Sequence, residues 1–427
     1  MLSKYLGIVA CLMAWLVSPA LAQLRGHGGP VRALAVSPDG ARLVSASFDT
    51  TVITWSLTGG TAEKVLRFHQ GAANAVVFLP DGRFATSGED RRIGIWQPGA
   101  DRPAAVLEGH TAPVVALAVS PDGKTLASAS WDNTVRLWPL AGGEARVLEG
   151  HQQNVNGVAF THDGRNVVSA SYDLTLRIWP VSETSTPKIV TLPTPLNTVA
   201  VAANGDIITA GASGSVYILT SEGAQRGAVE AATVPIIALA VSGDGSLVAA
   251  SSVRGAVAII DRASGKLLRT LVGPGLPAWS VAFLPDGTTV LTGGSDRLIR
   301  RWNATTGAHL GEVPITDAAD PLARYSGDHG AEVYRACVAC HTLNPNEGSR
   351  AGPTLAGIFG RKIASLPGYD FSPALKGMDI IWTPETVSKL FEVGPAAYTP
   401  GTKMPEQRVG ADDRKALVEF LKKATRP

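Results

Sequence analysis

The residues with the clearest chemical capacity lie together in Cys337-Val338-Ala339-Cys340-His341. Cysteines three apart, with a histidine four after the first, fall on one side of a helical turn. Two thiols can then bond the vinyl groups of a haem while the imidazole meets its iron, which is the attachment spacing of c-type haem. A redox dithiol or half of a zinc site are the other readings of Cys-x-x-Cys. Zinc needs a second ligand pair, and the chain's third cysteine is Cys11. A thioredoxin-like centre follows a strand in a βαβ pattern, and no such pattern precedes Cys337.

The N-terminus bears on the same chemistry. Lys4, an apolar run from Leu6 to Val17, Pro19 and the small-residue pattern Ala20-Leu21-Ala22 read as a secretory signal peptide over residues 1–22, cleaved after Ala22 to leave Gln23 first. The apolar run is short for an uncleaved membrane anchor. Cleavage removes Cys11, so the mature chain keeps two cysteines, both in the motif. No later stretch is long and apolar enough to cross a bilayer. The expectation is therefore an exported protein of the bacterial periplasm or an equivalent space, with no stable membrane insertion. A formal net charge of +2 over 427 residues gives no electrostatic case for nucleic acid.

Two domains are expected to position these groups. From Gly26 to about Pro314 the chain repeats at about 41 residues. Turn signals mark the period: Pro38-Asp39-Gly40, Pro80-Asp81-Gly82, Pro121-Asp122-Gly123, His162-Asp163-Gly164, Ala203-Asn204-Gly205, Gly243-Asp244-Gly245 and Pro285-Asp286-Gly287. Each sits between two short alternating apolar runs and reads as a hairpin. Trp55, Trp96, Trp138, Trp179 and Trp302 end the third strand of their repeats, with Leu219 and Ile260 in the equivalent places.

This region, residues 23–314, resembles the seven-bladed WD-repeat β-propellers. The resemblance implies hydrogen-bonded tetrads within single blades: His27, Ser45, Asp49, Trp55; His69, Thr86, Asp90, Trp96; His110, Ser128, Asp132, Trp138; and His151, Ser169, Asp173, Trp179. Blade seven keeps Thr292, Asp296 and Trp302. Blades five and six carry Ser213 and Arg254 where the Asp would stand. Because only Gln23, Leu24 and Arg25 precede Gly26 in the mature chain, His309 to Val313 is expected to close blade seven. His162, His309 and His329 are scattered and suggest no propeller metal site, and no nucleophile or acid–base constellation stands out.

After Pro314 the alternation stops. Residues 315–326 read as a linker, and residues 327–427 as an all-α domain. Asp328 to Cys337 suits a first helix, Thr383-Pro384-Glu385 an N-terminal cap, and Ala411 to Lys423 an amphipathic helix. This part resembles class I cytochromes c of the mitochondrial type, through the Cys337 motif, Gly352-Pro353-Thr354-Leu355, Gly357 to Lys362, Trp382, and Tyr398 to Met404. The resemblance implies a single covalent haem c with Met404 as the axial ligand opposite His341. It also implies that the Pro353 carbonyl accepts the other ring N–H of His341, and that Arg361 and Trp382 lie near the haem propionates. Phe371 stands where a propionate-bonding Tyr is common, and Leu390 and Phe391 replace a Tyr near the Met side. From Gly327 onward, 13 Lys plus Arg face 11 Asp plus Glu, a net of +2, so charge steering toward partners is expected to be weak.

The expectation for function is an electron carrier without catalytic residues. The propeller would be a docking platform for periplasmic redox proteins, a dehydrogenase donor or a terminal oxidase acceptor. The alternatives are an oxidoreductase of nitrite-reductase-like architecture and a haem-bearing sensor or scaffold.

Overall fold

A computed structural model describes residues 24–182, 186–273, 275–310, 322–334, 337, 341–344, 352–369, 371, 373–400, 402 and 409–425. Residues 1–22, expected as a signal peptide, lie outside the described residues, as do Cys340 and Met404.

Residues 24–310 form seven antiparallel sheets, one per repeat. Blade one is typical: Val31–Val36, Arg42–Ser47, Thr51–Ser56 and Thr61–Arg67 follow one another as a meander from the ring axis outward. The second strand is buried almost throughout and the outer strand is largely exposed. That gradient explains the sequence. Central strands covered on both faces lose their polar alternation and use small residues where neighbouring blades close on each other. At Gly293, a Cβ would lie 2.6 Å from Val31 Cγ1 of the next blade. The inner strand of blade seven, Ala278–Phe283, packs on Val31–Val36 and closes the ring.

Blade seven corrects the expectation for closure. Leu24–Arg25 pairs with Ile299 and Leu298, while His309–Leu310 pairs with Trp302 and Arg301. The outer edge is thus shared between the two ends of the propeller segment rather than supplied by residues 309–313, of which 311–313 lie outside the described residues. Burial is the reason. Leu24 is packed in a cluster with Val31, Leu43, Trp55 and Ile299, so even a two-residue strand is anchored. His309 meets the Trp302 ring edge-on at 4.9 Å.

The tight turn after each second strand shows an exchange between side chain and backbone. Thr50, Arg91, Asn133, Leu174 and Arg297 occupy the left-handed region, with φ between 67° and 72°. In these five blades the preceding residue is Asp, whose carboxylate accepts from the N–H two residues on, as Asp173 does from Thr175 at 2.9 Å. Where the Asp is missing, in blades five and six, Gly214 and Gly255 take the positive φ instead. Glycine removes the Cβ penalty that the carboxylate otherwise offsets.

The C-terminal domain has five helices among the described residues: α1 (His329–Tyr334), α2 (Pro373–Lys376), α3 (Pro384–Val393), α4 (Pro395–Tyr398) and α5 (Ala411–Ala424). Asp328 starts α1 by accepting from the Ala331 N–H at 3.1 Å. Thr383 and Thr386 cap α3 reciprocally, with Pro384 in its first turn. Helix α1 crosses α5 so closely that a Cβ on Gly330 would lie 2.2 Å from the Ala416 carbonyl oxygen. Part of the segment expected as linker joins this core: Leu322 is buried there, and Tyr325 packs edge-on against Phe420 at 5.0 Å.

Candidate haem site

The end of α1 sets the geometry of the motif. The Cys337 N–H donates to the Tyr334 carbonyl at 2.7 Å, and the His341 N–H donates to the Cys337 carbonyl at 2.9 Å. That last bond spans four residues, as in a helical turn, and puts Cys337 and His341 on one side of the chain. Cys337 is buried beside Tyr334, Leu417 and Leu421.

The segment 352–356 is stitched onto the motif from the other side. The His341 Nδ1–H donates to the Pro353 carbonyl at 2.8 Å. Leu355 N–H donates to the Thr342 carbonyl at 2.8 Å. Tyr334 O–H donates to the His341 carbonyl at 3.3 Å. With the proton fixed on Nδ1, Nε2 is the atom that can coordinate a metal. Gly352 is required by the same packing, since a Cβ there would lie 2.3 Å from the His341 ring.

Arg361 holds this segment in place. Its guanidinium donates to the carbonyls of Thr354 at 2.7 Å and Ala356 at 3.2 Å. Burial lowers its pKa from the usual arginine value. Trp382 pairs through its backbone with Gly360 and Arg361, at 2.8 and 2.9 Å, which places its side chain on the wall of the same cavity as Arg361.

These residues surround one apolar cavity. Cys337, His341, Gly352, Pro353, Arg361 and Trp382 line it together with Leu355, Ile358, Leu366, Phe371, Leu390 and Phe391. Thr399 and Thr402, from the segment leading to Met404, line it too. Tyr369 is a wall residue that the sequence reading did not single out. Its ring meets Phe371 edge-on at 4.7 Å, and its position two residues before Phe371 was the available signal. An apolar chamber with a buried cysteine, an oriented imidazole and a glycine where any Cβ would collide fits a haem. A small polar substrate would find few polar groups to meet.

The model of the family described as "Cytochrome c" matches residues 327–425. Over 99 residues the chain is 38% identical to cytochrome c of Stellaria longipes, covering 23% of this chain and 91% of that protein. It is 39% identical over 99 residues to cytochrome c of Cochliobolus lunatus, again 23% and 91%. Cytochrome c2 of Blastochloris viridis is 36% identical over 95 residues, 22% of this chain and 74% of that protein. The chain belongs to the cytochrome c family. Its cytochrome c domain implies a haem and electron transfer.

The same comparison shows the propeller in front of the cytochrome c domain. The model "WD domain, G-beta repeat" matches residues 19–56, 60–97, 101–139, 142–180 and 265–303. These are blades one to four and seven, the ones that keep the tryptophan. Blade three shows what the tryptophan does: Trp138 Nε1–H donates to Ser128 Oγ at 2.8 Å, Ser128 donates to His110 Nε2 at 2.7 Å, and His110 Nδ1–H donates to Asp132 at 2.7 Å. All four expected tetrads are assembled in this way. The threonine two after the Asp extends three of them, as Thr175 Oγ1–H does to Asp173 at 2.6 Å, and the sequence reading missed this. These histidines therefore serve the blades.

Proposed function

We propose that this protein is an exported, periplasmic carrier of single electrons, with one haem bound covalently through Cys337 and Cys340 and ligated by His341 and Met404. Residues 1–22 are its signal peptide. A haem held by His341 and Met404 would supply reversible one-electron chemistry, which suits transfer rather than substrate binding.

The observation that carries this reading is the bond from His341 Nδ1 to the Pro353 carbonyl, on a ring that faces an apolar cavity one turn from Cys337. It fixes the tautomer, orients Nε2 and raises the basicity of the imidazole. The wall residues exclude water, and Arg361 holds the 354–356 segment that carries the acceptor carbonyl. The propeller serves as the docking platform for redox partners, a dehydrogenase donor or a terminal oxidase acceptor. A net charge of +2 on residues 327–427 steers partners weakly, so shape and apolar contact on the propeller must supply affinity.

The test is the oxidised spectrum of the purified holo-protein and its Met404→Ala variant. The wild type should show the weak near-red band of sulfur bound to iron, and the variant should lose it and bind exogenous ligands. Persistence of the band in the variant, or steady turnover of nitrite or peroxide by the wild type, would refute the reading.

A further inference from the structure

The cavity of the cytochrome c domain has two wall residues that do not belong to that domain. Phe48 and Thr50 of blade one line it along with His341, Leu366, Tyr369 and Phe371. Both come from the tight turn between the second and third strands, and the turn is firmly held. The Phe48 N–H donates to the Pro30 carbonyl at 3.1 Å, and Asp49 accepts from Thr51 and pairs with His27. The Phe48 ring meets Trp279 of blade seven edge-on at 5.4 Å, and Trp279 Nε1–H donates to Ser295 at 2.9 Å.

Nothing in the repeat requires these two side chains. The place of Phe48 is taken by Glu89, Trp131, Tyr172, Ala212, Val253 and Ser295 in the other blades, and that of Thr50 by Arg91, Asn133, Leu174, Gly214, Gly255 and Arg297. The blades share a backbone turn, with φ of 72° at Thr50 and 67° at Arg91, while the side chains it presents are unconstrained by the fold. An aromatic ring beside a short hydroxyl side chain, on the one blade that reaches the cavity among the described residues, is a local feature.

We propose that the propeller completes the haem site, with Phe48 and Thr50 of blade one as haem-pocket residues that shield the bound group from water and raise its reduction potential. Keeping water from one side of a haem disfavours the more positive oxidised form, so burial is one of the settings by which a protein tunes potential. The propeller then acts on the redox centre directly besides serving partners. This inference rests on the assignment of the C-terminal cavity as the haem site.

The test uses the full-length holo-protein and two variants whose side chains the repeat already carries at this turn: Phe48→Ala, matching Ala212, and Thr50→Arg, matching Arg91 and Arg297. Two quantities are read, the midpoint potential and amide hydrogen exchange of residues 363–369 in the wall. Phe48→Ala should shift the redox equilibrium about threefold toward the oxidised form, a lowering of roughly 30 mV at 59 mV per tenfold for one electron. In Thr50→Arg the added positive charge disfavours the oxidised form and opposes such a lowering, so that variant is read by exchange. Exchange over 363–369 should rise, most in Thr50→Arg, where a long charged side chain holds the wall open. Unchanged potential in Phe48→Ala and unchanged exchange in both variants, with the haem bound as in wild type, overturns the shared pocket and leaves the carrier assignment standing. A wild-type chain that holds no covalent haem overturns both.

Discussion

The Nδ1 atom of His341 lies 2.8 Å from the carbonyl oxygen of Pro353, and a Cβ on the neighbouring Gly352 would lie 2.3 Å from the same ring. One short segment thus orients the imidazole by a hydrogen bond and confines it sterically. Replacing Gly352 with Ala should force the ring off its acceptor. Holo-protein yield, measured as bound haem per chain, should fall severalfold, and the haem that is bound should show a weakened near-red band. Full occupancy with a wild-type spectrum would mean that the ring has room that this geometry denies it.

Gly330 makes the corresponding demand at the crossing of α1 and α5. Its Cβ would meet backbone, the Ala416 carbonyl oxygen at 2.2 Å, as well as Phe420 Cβ at 2.5 Å. Gly330→Ala should cost about 1–3 kcal/mol of cytochrome-domain stability by overpacking. Denaturant unfolding followed by the Soret band should show the loss, while the strand signal of the propeller keeps its midpoint.

The turns predict an interaction between two mutations. Asp173→Ala removes the acceptor of the Thr175 and Gln152 N–H groups and of His151, and should cost about 2–3 kcal/mol. Leu174→Gly in that background should restore up to about 1 kcal/mol, because glycine tolerates the φ of 69° without the carboxylate. This recreates the pairing found at Ser213-Gly214 and Arg254-Gly255. A double-mutant cycle in urea measures the coupling, and strict additivity would contradict the compensation.

The tetrad carboxylates give the propeller an acid limb. Burial pushes the Asp173 carboxyl up, but hydrogen bonds from Thr175, Gln152 and His151 outweigh it and hold the pKa at about 2. Asp49 and Asp90 are lowered by the same balance, in which hydrogen bonds from His27 and His69 overcome burial. A folded value below the unfolded one means that this stability is complete above about pH 4 and is lost as pH falls toward the folded value. Unfolding free energies between pH 5 and pH 2 should decline, and less steeply in Asp173→Asn than in wild type. Equal slopes would remove Asp173 from the acid limb.

Much of this was legible in the sequence, in part because turns and the haem motif obey short-range rules and in part through family resemblance. Asp-Gly turns at a fixed period and the Cys337 motif are set by local spacing, whereas the tetrads and the Pro353 acceptor of His341 followed from the resemblance to WD repeats and to class I cytochromes c. Ring closure was half legible: His309–Leu310 pairs with blade seven as expected. The share of Leu24–Arg25 was missed because two-residue strands carry almost no periodic signal and the pairing of Leu24 with Ile299 depends on a buried contact across about 275 positions of chain. Phe48 and Thr50 were invisible as cavity residues for a like reason. Their turn is the same in every blade, and only the meeting of two domains singles out blade one. Leu322 and Tyr325 look like linker in sequence, and packing on Phe420 makes them core.

The most direct measurement of the central claim is the mass of the denatured, acid–acetone-extracted chain combined with a spectroelectrochemical titration of the native holo-protein. One haem should remain attached, and the titration should follow a single reversible one-electron curve. An extracted chain free of haem, or a titration needing a second centre, would contradict a single-haem carrier built on Cys337, Cys340, His341 and Met404.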